Sequence, residues 1–216
     1  MFDFILDLLF REQCLECKKV DVPVCVDCIL RAEPAVEPTN METWSAFAFH
    51  DPIIRRSIQK LKYYRGRRFV EPLAVALYDR SIEVISEKRL LWGLGPGEVL
   101  LCIPVPLSPK RQRNRGYNQA ELLTRAYASE DQMSFRVIDT VLYKTRETAS
   151  QVSLKDRASR LRNMDGTFEI KNTEVIIDKC CILFDDVTTT GATLEACRRA
   201  LLDAGARHVF ALTVAH

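Results

Sequence analysis

The twelve residues from Ile182 to Thr193, Ile-Leu-Phe-Asp-Asp-Val-Thr-Thr-Thr-Gly-Ala-Thr, constrain what this chain can fold into more than any other stretch. Cys181, Ile182, Leu183 and Phe184 form an unbroken apolar run, the pattern of a parallel strand buried on both faces. Leu194, Cys197, Leu201 and Leu202 then recur at helical spacing. The turn between strand and helix carries Asp185 and Asp186, then Thr188, Thr189, Thr190, Gly191, Ala192 and Thr193. A helix N-terminus offers unpaired N–H groups and the positive end of the dipole, Gly191 permits close backbone approach, and the hydroxyls add donors. Such a turn suits a phosphate monoester. The two carboxylates would repel that phosphate, but they suit sugar hydroxyls or a hydrated divalent cation beside it. The pairing points to a phosphorylated sugar. A Walker A loop would need Gly-Lys-Ser/Thr and a dinucleotide fingerprint three spaced glycines, and neither is present. The plainer alternative, a strand followed by an acidic turn and a Thr cap, accounts less well for four hydroxyl residues gathered around one glycine.

At 216 residues and 47% hydrophobic, the chain can bury one substantial core and carry a small appendage. Four of its eight cysteines supply the appendage as Cys14-x-x-Cys17 and Cys25-x-x-Cys28. Two such knuckles close a four-thiolate tetrahedral site with no open position, which predicts structural zinc; disulfides or free thiols are the alternative. Because a metal replaces a core in so small a unit, its loss is expected to unfold residues 1–40 and spare the rest. Cys102, Cys180, Cys181 and Cys197 sit in apolar contexts and read as small buried hydrophobes. Phe2, Ile5, Leu6, Leu9 and Phe10 define a helical apolar face that is too short to span a bilayer and lacks the features of a secretory signal. It is expected to pack on the protein's own body, a partner or membrane-surface contact being the alternative, and the expected location is the cytoplasm.

Glu33 to Pro38 reads as a semi-rigid linker into a second unit, residues 41–216. There Trp44–Phe49, Val99–Val105, Phe135–Leu142, Cys181–Phe184 and His208–Val214 are expected strands. Ile53–Tyr64, Val70–Ile85, Asn118–Ala128 and Ser153–Leu161 are expected helices, with a loop at Gly93–Gly97 and an Arg-rich loop at Lys110–Arg115. Strands alternating with helices predict an α/β fold with a mainly parallel sheet, in which ligands bind outside the carboxyl ends of the strands.

The net charge of +2 says little, because the basic residues are clustered. Arg55, Arg56, Lys60, Lys62, Arg65, Arg67 and Arg68 stand together with Tyr63 and Tyr64 interleaved, and Lys110, Arg111, Arg113 and Arg115 form a second run. A third comprises Arg157, Arg160 and Arg162. Cations for the backbone and aromatics for unpaired bases suit single-stranded DNA; a solvated helix face is the alternative, and Lys62 can instead serve an anion in the sugar-phosphate site. No histidine lies in a catalytic or metal-binding arrangement.

The Asp185–Thr193 segment resembles the phosphoribosyl pyrophosphate (PRPP) loop of type I phosphoribosyltransferases. Lys110-Arg111-Gln112-Arg113-Asn114-Arg115-Gly116-Tyr117-Asn118-Gln119-Ala120-Glu121 resembles the signature of the ComF family, phosphoribosyltransferase-like proteins linked to natural competence. So do Leu61-Lys62-Tyr63, Gln151-Val152-Ser153-Leu154, Arg157 and Asn163-Met164-Asp165-Gly166-Thr167-Phe168. The resemblance implies a type I phosphoribosyltransferase-like fold, often with an N-terminal zinc knuckle. It makes Ile103–Leu107 a diphosphate loop, Lys110–Tyr117 a closing loop, and Asp185 and Asp186 the holders of the ribose hydroxyls. Mg²⁺ would be bound mainly by PRPP, and Arg111 and Arg115 would face the diphosphate. It also implies handling of single-stranded DNA during transformation, in company with other DNA-uptake proteins, or alternatively transfer of phosphoribose to a nitrogenous acceptor.

Overall fold

The computed structural model describes residues 12–36, 42–145 and 167–216, without the side chains of Tyr64 and Arg65. The N-terminal apolar face, the Ser153–Leu161 helix and the third basic run lie outside them. Five parallel strands form the central sheet: β1 (Thr43–Phe47), β2 (Leu100–Pro104), β3 (Phe135–Val137), β6 (Cys180–Val187) and β7 (His208–Ala215), in spatial order β1-β7-β6-β2-β3. Side chains alternate across a strand, so Cys180, Ile182 and Phe184 of β6 enter one core layer while Cys181 and Leu183 enter the other. This is why the run at 181–184 is apolar throughout.

The first layer holds α1 (Val26–Leu30), α2 (Pro52–Lys60), α3 (Val70–Leu91) and α5 (Gln119–Ser129). Asp51 caps α2, its Oδ1 accepting from the N–H groups of Ile53 and Ile54 at 2.9 and 3.3 Å. In the same layer Tyr127 packs on Phe184 and Phe135 with ring centroids 4.8 and 5.2 Å apart, its hydroxyl 2.8 Å from Ser81 Oγ. The second layer is α6 (Ala192–Asp203) with a two-stranded antiparallel ribbon of β4 (Leu142–Lys144) and β5 (Phe168–Ile170).

Three expectations change. The predicted strand at 135–142 is two: β3 extends the main sheet and β4 opens the ribbon, with the ion-paired Asp139 in the break. The Arg-rich segment is not a loop but a helix, α4 (Pro109–Arg115). Its end signals are local: Ser108 Oγ accepts from Arg111 N–H, Pro109 opens the first turn, and Gly116 closes it at φ +75°. Finally, α2 stops at Lys60, and residues Tyr64–Phe69 form a 3₁₀ helix. Gly66 permits that turn, because a Cβ there would sit 1.9 Å from the Lys60 carbonyl oxygen.

The cysteine unit does not stand apart from the body. Cys14, Val24, Cys28 and Ile29 belong to the same core as Phe47, Leu73 and Leu77, and Arg80 of α3 donates to the Leu30 and Ala32 carbonyls at 2.6 and 3.3 Å.

Candidate functional site

The chain leaves β2 toward β3 on one side and β6 toward β7 on the other, so the connections diverge where β2 and β6 lie side by side. Diverging connections leave a crevice beyond the strand ends. A cleft of about 400 Å³ lies there. Its floor is the β2 exit, Val105 to Ser108, and the β6 exit, Asp185 to Thr193. The two exits are tied by the Val105 N–H to the Phe184 carbonyl at 2.9 Å.

Asp185 and Asp186 lie half-buried near the end of β6, just before its last residue, Val187. Burial, then the Asp186 charge, raise the Asp185 carboxyl well above the usual carboxylate range. The site thus holds a carboxyl that gains from a hydroxyl donor or cation. Beyond it the loop is braced by β7, with Thr188 N–H on the Ala215 carbonyl at 3.0 Å and His216 Nε2 2.9 Å from the Thr189 carbonyl. Gly191, at φ +72°, is the N-cap of α6, so the helix's first N–H groups open into the cleft rather than onto a side-chain cap. The negative charge of Glu195 in that first turn is taken up by Arg198 and Arg199 at 3.0 and 2.8 Å.

The four cations come from three places. Arg111 and Arg115, one helical turn apart on α4, line the cleft together, and Lys62 joins from the turn that follows α2. Lys144 of β4 also lines it and eases the Asp185 charge. Lys144 and the aromatic wall, Phe49, are the residues sequence reasoning missed. Both come from segments remote in the chain, and only the placement of the ribbon and of the β1 exit brings them here. Asn118 and Gln119 complete the wall, Asn118 Nδ2 donating to the Val105 carbonyl at 3.0 Å.

Lys110 and Arg113 point elsewhere: with Pro109 and Thr145 they border a separate cavity of about 360 Å³ on the other side of α4. Arg55, Arg56 and Lys60 are exposed on α2, opposite the buried Ile53, Ile54 and Ile58. Arg67 lies 4.8 Å over the Tyr117 ring, and Arg68 pairs with Glu12 at 2.7 Å. Tyr63 is 72% exposed. The side chain of Arg65 is not among the described ones.

Cys14, Cys17, Cys25 and Cys28 bring their Sγ atoms within 4.8 Å of one another, with Cys25 Sγ 3.7 Å from Cys14 Sγ and 3.5 Å from Cys17 Sγ. Tetrahedral zinc with bonds near 2.3 Å sets sulfurs about 3.8 Å apart, whereas a disulfide needs about 2.0 Å, so the donor set fits the metal. Burial works against the Cys14 thiolate, yet the N–H groups of Glu16, Cys17 and Cys25 outweigh it and bring the thiol down to about 6. Burial and the neighbouring sulfurs push Cys28 up to about 12. Four thiolates this close need a cation. Arg31 donates to Cys28 Sγ at 3.1 Å, a bond that orients a ligand from outside the set. The other four cysteines are buried, and burial pushes the Cys181 thiol up to about 12, as suits small hydrophobes.

Among the described residues, no helix is long and apolar enough to cross a membrane. No protein-family model matches the sequence. Among solved structures, the chain resembles a hypoxanthine phosphoribosyltransferase of Trypanosoma cruzi at 13% identity and a TM-score of 0.39, covering 67% of this chain and 65% of that one. A likeness that distant says nothing of function. Sequence relatives are nearer. A DNA utilization protein, YhgH, of Escherichia coli O6:H1 is 26% identical over 91% of this chain and 85% of its own. Competence protein F of Haemophilus influenzae is 33% identical over 50% of this chain and 46% of its own. Competence protein ComFC of Streptococcus pneumoniae is 41% identical over 208 residues, 96% of this chain and 82% of its own. Identity at that level across nearly the full length is a mark of common descent, and the chain belongs to the ComF family.

Proposed function

We propose that this protein binds PRPP in the cleft beyond β2 and β6, binds single-stranded DNA on its basic surface, and acts in DNA uptake. The observation that carries the reading is the convergence of Lys62, Arg111, Arg115 and Lys144 with the Asp185–Asp186 pair and the N-terminus of α6 around one cleft. Four cations and a row of N–H groups suit a ligand carrying a phosphate and a diphosphate, while two carboxylates suit the sugar between them. Mg²⁺, held chiefly by the ligand's own phosphates beside Asp185 and Asp186, would supply further charge neutralisation. Zinc at the four cysteines would be structural. The role in DNA uptake is supported by the names of the relatives, competence and DNA utilization proteins. Calorimetric titration of PRPP with Mg²⁺ into the full chain tests the cleft directly: an absence of binding heat overturns the reading.

A second reading, transfer of phosphoribose to a nitrogenous acceptor, draws on Phe49, an aromatic wall on which a flat ring can stack. Transfer passes through a cationic sugar as diphosphate departs, and the cations lining the cleft would stabilise the leaving group. Incubation with PRPP, Mg²⁺ and a metabolite extract separates the two, since only transfer yields a new phosphoribosyl product.

A further inference from the structure

Lys62 reaches the cleft from an exposed turn, and what fixes that turn comes from another part of the chain. The Tyr117 hydroxyl lies 2.6 Å from the Leu61 carbonyl and within hydrogen-bond reach of the Tyr63 carbonyl as well, so its one proton is shared between the two carbonyls that flank Lys62. Tyr117 itself is 5% exposed. Residues close on both sides of it line the cleft: Arg115, at the end of α4, and Asn118, which is bonded to the Val105 carbonyl. The Tyr63 carbonyl also accepts from Gly66 N–H at 2.7 Å, and the Arg67 guanidinium covers the Tyr117 ring. One buried phenol therefore buckles the end of α2, the start of the 3₁₀ helix and the α4–α5 turn.

We propose that Tyr117 is a positioning residue that holds Lys62 in the cleft, so that the anion affinity of the site depends on a hydroxyl the anion never touches. The inference rests on reading the cleft as a polyphosphate site. Leu61 is buried and Tyr63 exposed, so Lys62 stands where the chain leaves the core. A lysine ammonium rides on a flexible four-carbon stem, so a backbone held in place limits the positions from which it must be ordered onto an anion. Removing the hydroxyl takes that donor from the Leu61 carbonyl and leaves the Tyr63 carbonyl with Gly66 N–H alone, so the tie from Tyr117 to the turn is lost, while a Phe ring keeps the packing under Arg67.

The test is a double-mutant cycle with inorganic pyrophosphate and PRPP as probes, using Tyr117→Phe, Lys62→Ala and the pair. Tyr117→Phe is expected to weaken binding by about five- to tenfold, the range for one net hydrogen bond. The pair is expected to bind no more weakly than Lys62→Ala alone, because the hydroxyl acts through that ammonium. Both single variants should also show a shallower dependence of affinity on salt than the parent, which a loss of stability alone would not produce. Losses that multiply in the pair, a Tyr117→Phe affinity equal to the parent's, or a parent-like salt dependence in a weakened Tyr117→Phe each overturn the proposal. A parent that binds neither probe overturns the reading of the cleft and this proposal together, whereas a parent that binds and a silent Tyr117→Phe overturns this one only. Thermal unfolding of each variant shows that the comparison is between folded proteins.

Discussion

Asp185 Oδ1 accepts the backbone N–H of Asp186 at 2.8 Å, so the first carboxylate of the pair is fixed by the peptide that carries the second. That geometry sets two half-buried acids side by side, and an arrangement so costly to charge is informative about what it awaits. Replacing both with Asn is expected to weaken PRPP binding a hundredfold or more, from two charge-assisted contacts of roughly 1.5–3 kcal/mol each. Calorimetry with Mg²⁺ reads it, and equal affinity in variant and parent leaves the loop an ordinary helix cap.

The same pair yields a prediction on stability without ligand. Asp185 is raised above its unfolded value by burial and by Asp186, so its contribution is fully favourable below the unfolded pKa and is lost as pH rises through the folded one. At neutral pH, above the unfolded value, the raised carboxyl costs the empty protein stability, and Asp185→Asn is therefore expected to raise the melting temperature. Near pH 3 the acid is protonated in both states and the gain should vanish. A variant less stable than its parent at neutral pH contradicts this.

One zinc per chain is expected, bound by Cys14, Cys17, Cys25 and Cys28. Because Val24 and Ile29 share a core with Phe47 and Leu77, chelation or Cys25→Ser should lower the melting transition of the entire body rather than release the N-terminal segment alone. Metal analysis and calorimetric unfolding check both halves, and an unchanged main transition after zinc removal speaks against the shared core.

On the nucleic-acid side, Arg55, Arg56 and Lys60 are the cations whose removal should spare the cleft, since they line it nowhere while Lys62 does and Arg67 packs on Tyr117. If single-stranded DNA follows this face, about −0.7 in log–log salt slope per phosphate predicts a slope flatter by roughly 2 in the Arg55→Ala, Arg56→Ala, Lys60→Ala variant. PRPP affinity should hold. Fluorescence titration of a labelled oligonucleotide across salt measures the slope, and no change would leave α2 a solvated face.

Gly66→Ala should cost about 1–3 kcal/mol, because the added carbon meets backbone at 1.9 Å from the Lys60 oxygen and the turn after α2 must open. Denaturant unfolding checks it, and a neutral result would show that the turn tolerates displacement.

What the sequence by itself determined is whatever depends on neighbours in the chain. The apolar run at 181–184, the glycine and hydroxyls after it, the Cys-x-x-Cys pairs and most elements are legible because a buried parallel strand, a helix cap and a metal knuckle are each written within a few residues. Even the α4 helix, expected as a loop, carries its end signals locally in Ser108, Pro109 and Gly116. Tertiary structure alone decided the rest. The sequence left Lys62 open between a nucleic-acid face and the sugar-phosphate site; in the fold it lines one cleft with Asp185, and Lys144 and Phe49 join them without any local signature. Convergence of that kind depends on strand order and on which side each connection leaves the sheet. Periodicity and motif spacing are local quantities, while strand order is chosen by the burial of both sheet faces at once, and so the site could be named in part from the sequence but assembled only by the fold.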